Sequence, residues 1–467
     1  MKKYCSIIII GCILPFVILS VCGILPTFDD FTTLQSPQFS SPISKELLPY
    51  DNFWRPWDYL FGCLLGLNIA LFPTLNHVII ILGHTANTIL VFSICRKLNI
   101  NIFATNIATL FFFFSPASLG ATLACDGLNQ TYAQFWGLAA VWCYLKYIDS
   151  HYFLIWLPCT FIAALSKENG LSWAIIPPLV AFAFHLIEKK RALRHVGFGF
   201  LLAMSYFLLR TVLKVNSNIN NDYIEVTFIS HFIDFVQMLV YNWLPIDYMS
   251  IVYEPERNWL LIVMTVIMSF PFLGLLSIRN KTLWMEQTIY ILIVCFFIAA
   301  APHLLTLVSI MHNYATLSVT ALIIAYIVNQ LQFSRLLFSA FIFYLSSAII
   351  TDIHHFMGAY KSGLLGKQIA LEVINKTGHS VQSAYCITIE DEDTPHYSSF
   401  AVRPTDAFAW GLSVRHYTGY TWPTELKDTV LSKKETEFIQ QITDSALLSG
   451  VQCVWVIDNN QVKVWVQ

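Results

Sequence analysis

The residues of this chain best suited to chemistry are a few charged side chains set beside long apolar runs. Asp29 and Asp30 are adjacent in LPTFDDF, at the end of the first such run. Two neighbouring carboxylates can take a proton or bind a divalent cation; a pair of solvated loop acids is the plainer use. Arg55 lies in NFWRPW, an arginine among aromatic residues. Its fork of donors suits a phosphate, and an interfacial anchor in an aromatic belt accounts for it about as well. Ser166-Lys167-Glu168-Asn169-Gly170 interrupts an apolar stretch. There Lys167 can hold an anionic group while Glu168 neutralises or orients it; a structural ion pair in a helix-joining turn is the alternative. His77 and His84 are seven residues apart and share a helix face, with Asn87 close by. That polar stripe fits packing hydrogen bonds better than catalysis, and its spacing is not that of a two-histidine metal helix. Asp126 in ACDGLNQT and Asp247 in NWLPIDY stand alone in later loops.

The elements that must position these residues follow from composition. Of 467 residues, 56% are hydrophobic and 12% charged, against about 25% charged in a soluble domain. Apolar runs of this length must face lipid, where a helix needs roughly 20 apolar residues to cross. Eleven runs qualify: 4–25, 76–95, 101–119, 130–148, 152–167, 170–187, 196–214, 258–278, 286–303, 314–331 and 335–352. The first has a basic start, with Lys2 and Lys3, but no small-residue cleavage site before Pro26, and is expected to remain as an uncleaved span. Clusters of Lys and Arg follow the second, fourth, sixth, eighth and tenth runs, at Arg96-Lys97, Lys146, Lys189-Lys190-Arg191, Arg279 with Lys281, and Arg335. All five fall on the cytoplasmic side if the N-terminus does, which sets the orientation.

Three long segments then lie outside. Residues 26–75 include an apolar, aromatic stretch carrying Arg55 and Asp58, expected as helices at the membrane surface, and 215–257 hold a similar piece. Residues 1–352 thus form a transmembrane domain, and 353–467 a small soluble α/β domain. This tail has a helix-like KSGLLGKQIALEVINKTG, a strand-like AYCITI and a terminal hairpin around Asp458-Asn459-Asn460. Most of the cysteines sit in apolar runs as small hydrophobes; Cys386 and Cys453, in the tail, either pair or remain buried thiols. A net charge of −2 without a basic tract gives no sign of nucleic-acid binding.

Taken in order, TFDD, FWRPWDYLFGCLLGLN, HVIIILGHTANTILVFSICRKL and LSKENGL resemble the GT-C membrane glycosyltransferases. The nearest branch is that of the tetratricopeptide-repeat transmembrane O-mannosyltransferases and their bacterial relatives. The likeness covers roughly residues 20–190 and is looser over 226–330. The chain departs from that pattern at SPASLGA, where relatives carry His-Pro-x-His-Thr-Glu, and at Met311-His312-Asn313-Tyr314, where they carry Glu-Arg-Tyr; its tail has no tetratricopeptide repeat.

The resemblance implies a sugar donor on a polyprenyl or dolichyl phosphate and direct displacement at the anomeric carbon, with inversion. One of Asp29 and Asp30 would take the proton of an acceptor hydroxyl. Arg55, Lys167 and Arg210 would stabilise the leaving phosphate, with Glu168, His77, His84 and Asp126 in support. No metal is demanded, although a divalent cation could join the acids. The acceptor is a glycan, lipid or protein, and a bacterial inner membrane is the expected location. Two other classes stay open on the same residues: a transporter or lipid flippase, and a non-catalytic glycolipid-binding relative.

Overall fold

A computed structural model describes residues 4–27, 30–31, 55–56, 75–123, 127–213, 228–246, 255–278, 286–305, 310–331, 335–378, 381–390, 407–419, 422–458 and 461–466. The surface helices expected within 26–75 lie outside the described residues, apart from Arg55 and Pro56 near the start of the apolar stretch.

The first part of the chain is helical: α1 (Cys5–Val21), α2 (Leu75–Lys97), α3 (Ile102–Phe113), α4 (Leu119–Thr122), α5 (Leu128–Tyr147), α6 (Trp156–Ser166), α7 (Ile176–Ala183) and α8 (Lys189–Val212). There follow α9 (Phe228–Tyr241), α10 (Pro255–Ile278), α11 (Gln287–Ala300), α12 (Asn313–Gln330) and α13 (Arg335–Thr377). Among the described residues, α2, α8, α10, α13, and α11 together with the 3-10 turn that extends it (Gln287–Leu304), are long and apolar enough to cross a membrane. The pair Ile102–Phe113 and Pro116–Thr122, bent by 47° at Ser115-Pro116, makes a sixth candidate.

The helices sort by what surrounds them. On α8, Phe200, Leu201, Met204, Phe207, Leu208 and Val212 face outward, and on α10 Trp259, Leu260, Ile267 and Phe270 do the same. So broad an apolar surface is unfavourable in water and fits hydrocarbon. By contrast, α12 is buried on every side from Asn313 to Val328. Enclosed by protein, it tolerates Thr316, Ser318 and Thr320, which a lipid-facing helix would hide. Thr316 and Thr320 turn their hydroxyls back onto backbone carbonyls of the same helix, and Ser318 accepts from Gln134 of α5 at 2.6 Å. The N-terminal helix packs on α3, where the Ser6 hydroxyl donates to the Asn106 carboxamide at 2.6 Å. Apolar outer helices around a polar-threaded centre fit an α-helical membrane protein.

The last helix differs from its expectation. The run at 335–352 and the helix-like stretch after it are one element, α13, 43 residues long and so about 64 Å from end to end. Hydropathy falls near residue 352, but the hydrogen-bonded backbone does not register that change.

Beyond α13 the chain forms a four-stranded sheet of β1 (Ser383–Glu390), β2 (Glu425–Ser432), β3 (Cys453–Asp458) and β4 (Gln461–Val466), with α14 (Leu412–Tyr417) and α15 (Ile439–Leu448) between strands. The strand order is β2-β1-β3-β4. The two pairings of β1 are parallel, and β3 pairs with β4 antiparallel, from Cys453 opposite Val466 to Asp458 opposite Gln461. The central strands are apolar on both faces because both faces are covered. Cys386, Trp455 and Ile457 pack on Ile369, Ala370 and Val373 of α13, while Ile387, Ile389, Val454 and Val456 pack beneath α15. Cys386 and Cys453 are both buried free thiols: β1 and β3 set Ala384 opposite Cys453 and Cys386 opposite Trp455.

Candidate functional site

The site is built at the point where α6 ends. Ser166 closes the helix, and Lys167 takes an extended backbone (φ −154°, ψ 143°) before a 3-10 turn over Glu168–Ala174. Gly170 lets this turn fold tightly back: a Cβ there would sit 2.3 Å from the backbone of Ala163. The Gly170 N–H donates to the Lys167 carbonyl at 2.8 Å, and the Asn169 side-chain amide donates to Gln130 of α5 at 2.9 Å. The Lys167-Glu168 pair is therefore presented by a turn anchored on both sides.

Glu168 gathers two distant arginines. The Arg55 guanidinium donates from Nε to both carboxylate oxygens, at 3.2 and 3.0 Å, and from Nη2 to Oε2 at 2.7 Å. Arg210, in the last turn of α8, brings Nη1 within 3.5 Å of Oε1. Tyr206, one turn before Arg210, accepts from it at 3.4 Å and donates to the Ala164 carbonyl of α6 at 3.3 Å, which ties α8 to the same turn. Burial alone would push the Glu168 carboxyl up; the charge and hydrogen bonds of Arg55, with the charge of Lys167, hold it below its ordinary range instead.

The Lys167 ammonium is buried beside these groups, 3.4 Å from both the Asn129 carboxamide oxygen and the Met311 sulfur. Next to Met311 comes His312, whose ring stacks on that of His303 at 4.0 Å with 19° between planes. Burial, His303, Lys167 and Arg55 all drive the His312 imidazole well below its ordinary value, so it is neutral near pH 7. Residues from the long first loop, α5, α6, α8 and the turns on either side of the α11–α12 connection thus meet in one place. Two arginines pair with one carboxylate while the charge of the nearby Lys167 acts on it, an arrangement suited to a polyvalent anion such as a phosphate.

The other sequence candidates are placed as follows. Asp30 is buried, 1% exposed, just beyond α1. Its carboxylate accepts from the Thr27 N–H at 3.0 Å, and its own N–H donates to the Thr27 carbonyl at 2.9 Å, which closes a tight turn. Ile24, on the same segment, shares an apolar cluster with Met311, the residue that touches Lys167. His77 is bonded to the Leu123 carbonyl at 3.1 Å. His84 lies between Tyr314 of α12, at 2.8 Å, and the Phe113 carbonyl, at 3.0 Å, and Asn87 donates to Tyr314 at 2.9 Å. These bonds lock α2 against α3 and α12. Asp29, Asp126 and Asp247 lie outside the described residues. No group of three or more His, Cys, Asp or Glu able to hold a metal occurs among the described residues.

Sequence reasoning missed His303, Asn129, Gln130 and Tyr206. Their only signal was a polar residue at the edge of an apolar run, which core packing explains equally well. Compared with protein-family models, with curated proteins and with solved structures, the chain gives no match.

Proposed function

We propose that this chain is a membrane glycosyltransferase that moves a sugar from a polyprenyl-phosphate donor to an acceptor hydroxyl. The observation that carries the reading is the convergence of Arg55, Lys167 and Arg210 around Glu168 at one end of the helical bundle. Near lipid, charged side chains are costly and gather where they serve a function. A phosphate already carries the charge that departs with it, so its departure needs stabilisation by cations more than protonation. Arg55 supplies a planar fork, Lys167 a buried point charge, and Arg210 a second fork; Glu168 orients the two arginines.

In this reading the chain crosses the membrane eleven times, with the N-terminus in the cytoplasm and the β-sheet unit on the far side, in a bacterial inner membrane. The lipid tail of the donor enters between the outer helices, and an acid of the Asp29-Asp30 pair takes the acceptor's proton. The sequence resemblance to GT-C enzymes and the cation cluster share Arg55, Lys167 and Glu168, and both support this assignment.

The test is mass spectrometry of glycolipids and glycans from cells carrying the wild-type chain or Lys167→Ala. The expected outcome is a sugar modification present with the wild type and lost in the variant, with both proteins equally abundant in the membrane. Identical glycolipid and glycan profiles from cells with and without the wild-type chain would defeat the proposal.

A further inference from the structure

The stacked histidines are a part of this site that the phosphate reading does not yet use. His303 lies in the middle of the 3-10 turn, Ala301–Leu305, that extends α11, and His312 closes the turn that opens α12. The 301–305 turn packs against the Glu168–Ala174 turn, and Met311 carries the contact to Lys167. The two rings therefore stand against the cation cluster, and the charge of Lys167 acts on both.

His303 is 3% exposed, and its Nε2 has no hydrogen-bond partner among the described residues. A buried ring nitrogen without a partner carries a standing desolvation penalty, so such a group calls for an explanation. Core packing does not supply one. His84 and His195 are bonded, to Tyr314 and the Phe113 carbonyl and to Tyr144, and His77, whose Nδ1 also has no partner, still holds the Leu123 carbonyl through Nε2. His303 instead lies beside an ammonium and is held flat by a second imidazole. Lys167, the charge that acts on this ring, cannot fill the gap while Nε2 carries a proton, because an ammonium has no acceptor to offer.

We infer that His303 is a ligand-contacting residue of the same site, its Nε2–H donating to a phosphoryl oxygen of the bound lipid phosphate, with His312 as the positioning residue that fixes its ring by stacking. The inference rests on the phosphate reading above and adds to it a neutral donor beside Lys167. A neutral donor gives the phosphate a directional contact without adding positive charge to a site already rich in it. Product phosphate can then still leave.

The experiment titrates the full-length protein, in lipid nanodiscs, with polyprenyl monophosphate. His303→Phe keeps a flat ring on His312 and removes the N–H; His303→Gln keeps a donor. The expected result is a ten- to hundredfold weaker Kd for His303→Phe, the usual effect of losing a hydrogen bond to a charged group. His303→Gln recovers most of that loss, which a purely structural role for the ring would not produce. Full affinity in His303→Phe, with Lys167→Ala and Arg55→Ala weakened, overturns the histidine contact and leaves the phosphate reading standing. Full affinity in Lys167→Ala and Arg55→Ala overturns the phosphate reading itself. If His303→Phe does not insert, nitrogen NMR of the wild-type histidines replaces it. A shift of the His303 Nε2 resonance on adding the lipid phosphate supports the contact, and an unmoved resonance overturns it.

Discussion

Replacing Glu168 by glutamine tests whether this carboxylate organises the cation cluster. The change keeps the shape of the side chain and one acceptor oxygen but removes the charge that Arg55 grips with three hydrogen bonds and that Arg210 approaches at 3.5 Å. The Glu168 side chain is 31% exposed and those of the arginines 19% and 21%, so the pairing lies between two limits. Exposed ion pairs contribute up to about 1 kcal/mol, and breaking a buried one costs about 3–5 kcal/mol. The expected loss is about 1–3 kcal/mol at pH 7, with a coupling energy of similar size in a double-mutant cycle with Arg55→Gln. The pH dependence gives a second handle. A carboxyl whose folded pKa is depressed adds stability above its unfolded pKa, near 4.3, and loses that contribution as pH falls through the folded value. Wild type and Glu168→Gln should therefore differ at pH 7 and converge on acidification. Thermal unfolding in detergent, followed by intrinsic fluorescence, reads both. Equal melting at pH 7, or a gap that persists unchanged into acid, would refute the role given to Glu168.

Asp29→Asn and Asp30→Asn should each abolish sugar transfer while the protein still inserts; normal turnover in both single variants removes the proposed base. Gly366→Ala should destabilise the contact between α13 and the 407–417 segment by about 1–3 kcal/mol, because its Cβ would lie 2.2 Å from the Ala407 carbonyl oxygen; limited proteolysis of the sheet unit reads this, and unchanged resistance counts against the packing. A reporter fused to the C-terminus should signal the periplasm or lumen, and a cytoplasmic signal would overturn the eleven-span topology.

What could be read from residues alone depended on whether the physical cause acts locally. Lys167 and Glu168 stood out because charge inside an apolar stretch is rare at any position. The hairpin of β3 and β4 announced itself by alternation around a polar turn. Glu168 as the meeting point of Arg55 and Arg210 could not be seen, since the three come from segments far apart and nothing in their local composition pairs them. The bend at Ser115-Pro116 lies inside a run that hydropathy presents as one span. Burial inside the bundle explains how α12 carries hydroxyl residues along an otherwise apolar helix. For α13, hydropathy marked a change of surroundings, while the rise and hydrogen bonds of the helix continued through it.

The unbroken course of α13 has a geometric consequence. A rod joins the apolar bundle to the base of the sheet, so the azimuth of the sheet is tied to the phase of the helix. Each residue adds 1.5 Å of height and about 100° of rotation. One residue inserted between Ile353 and Tyr360 would swing the sheet through more than a quarter circle. Seven would lift it about 10 Å and return it nearly to its original bearing. A flexible tether would absorb either change without notice.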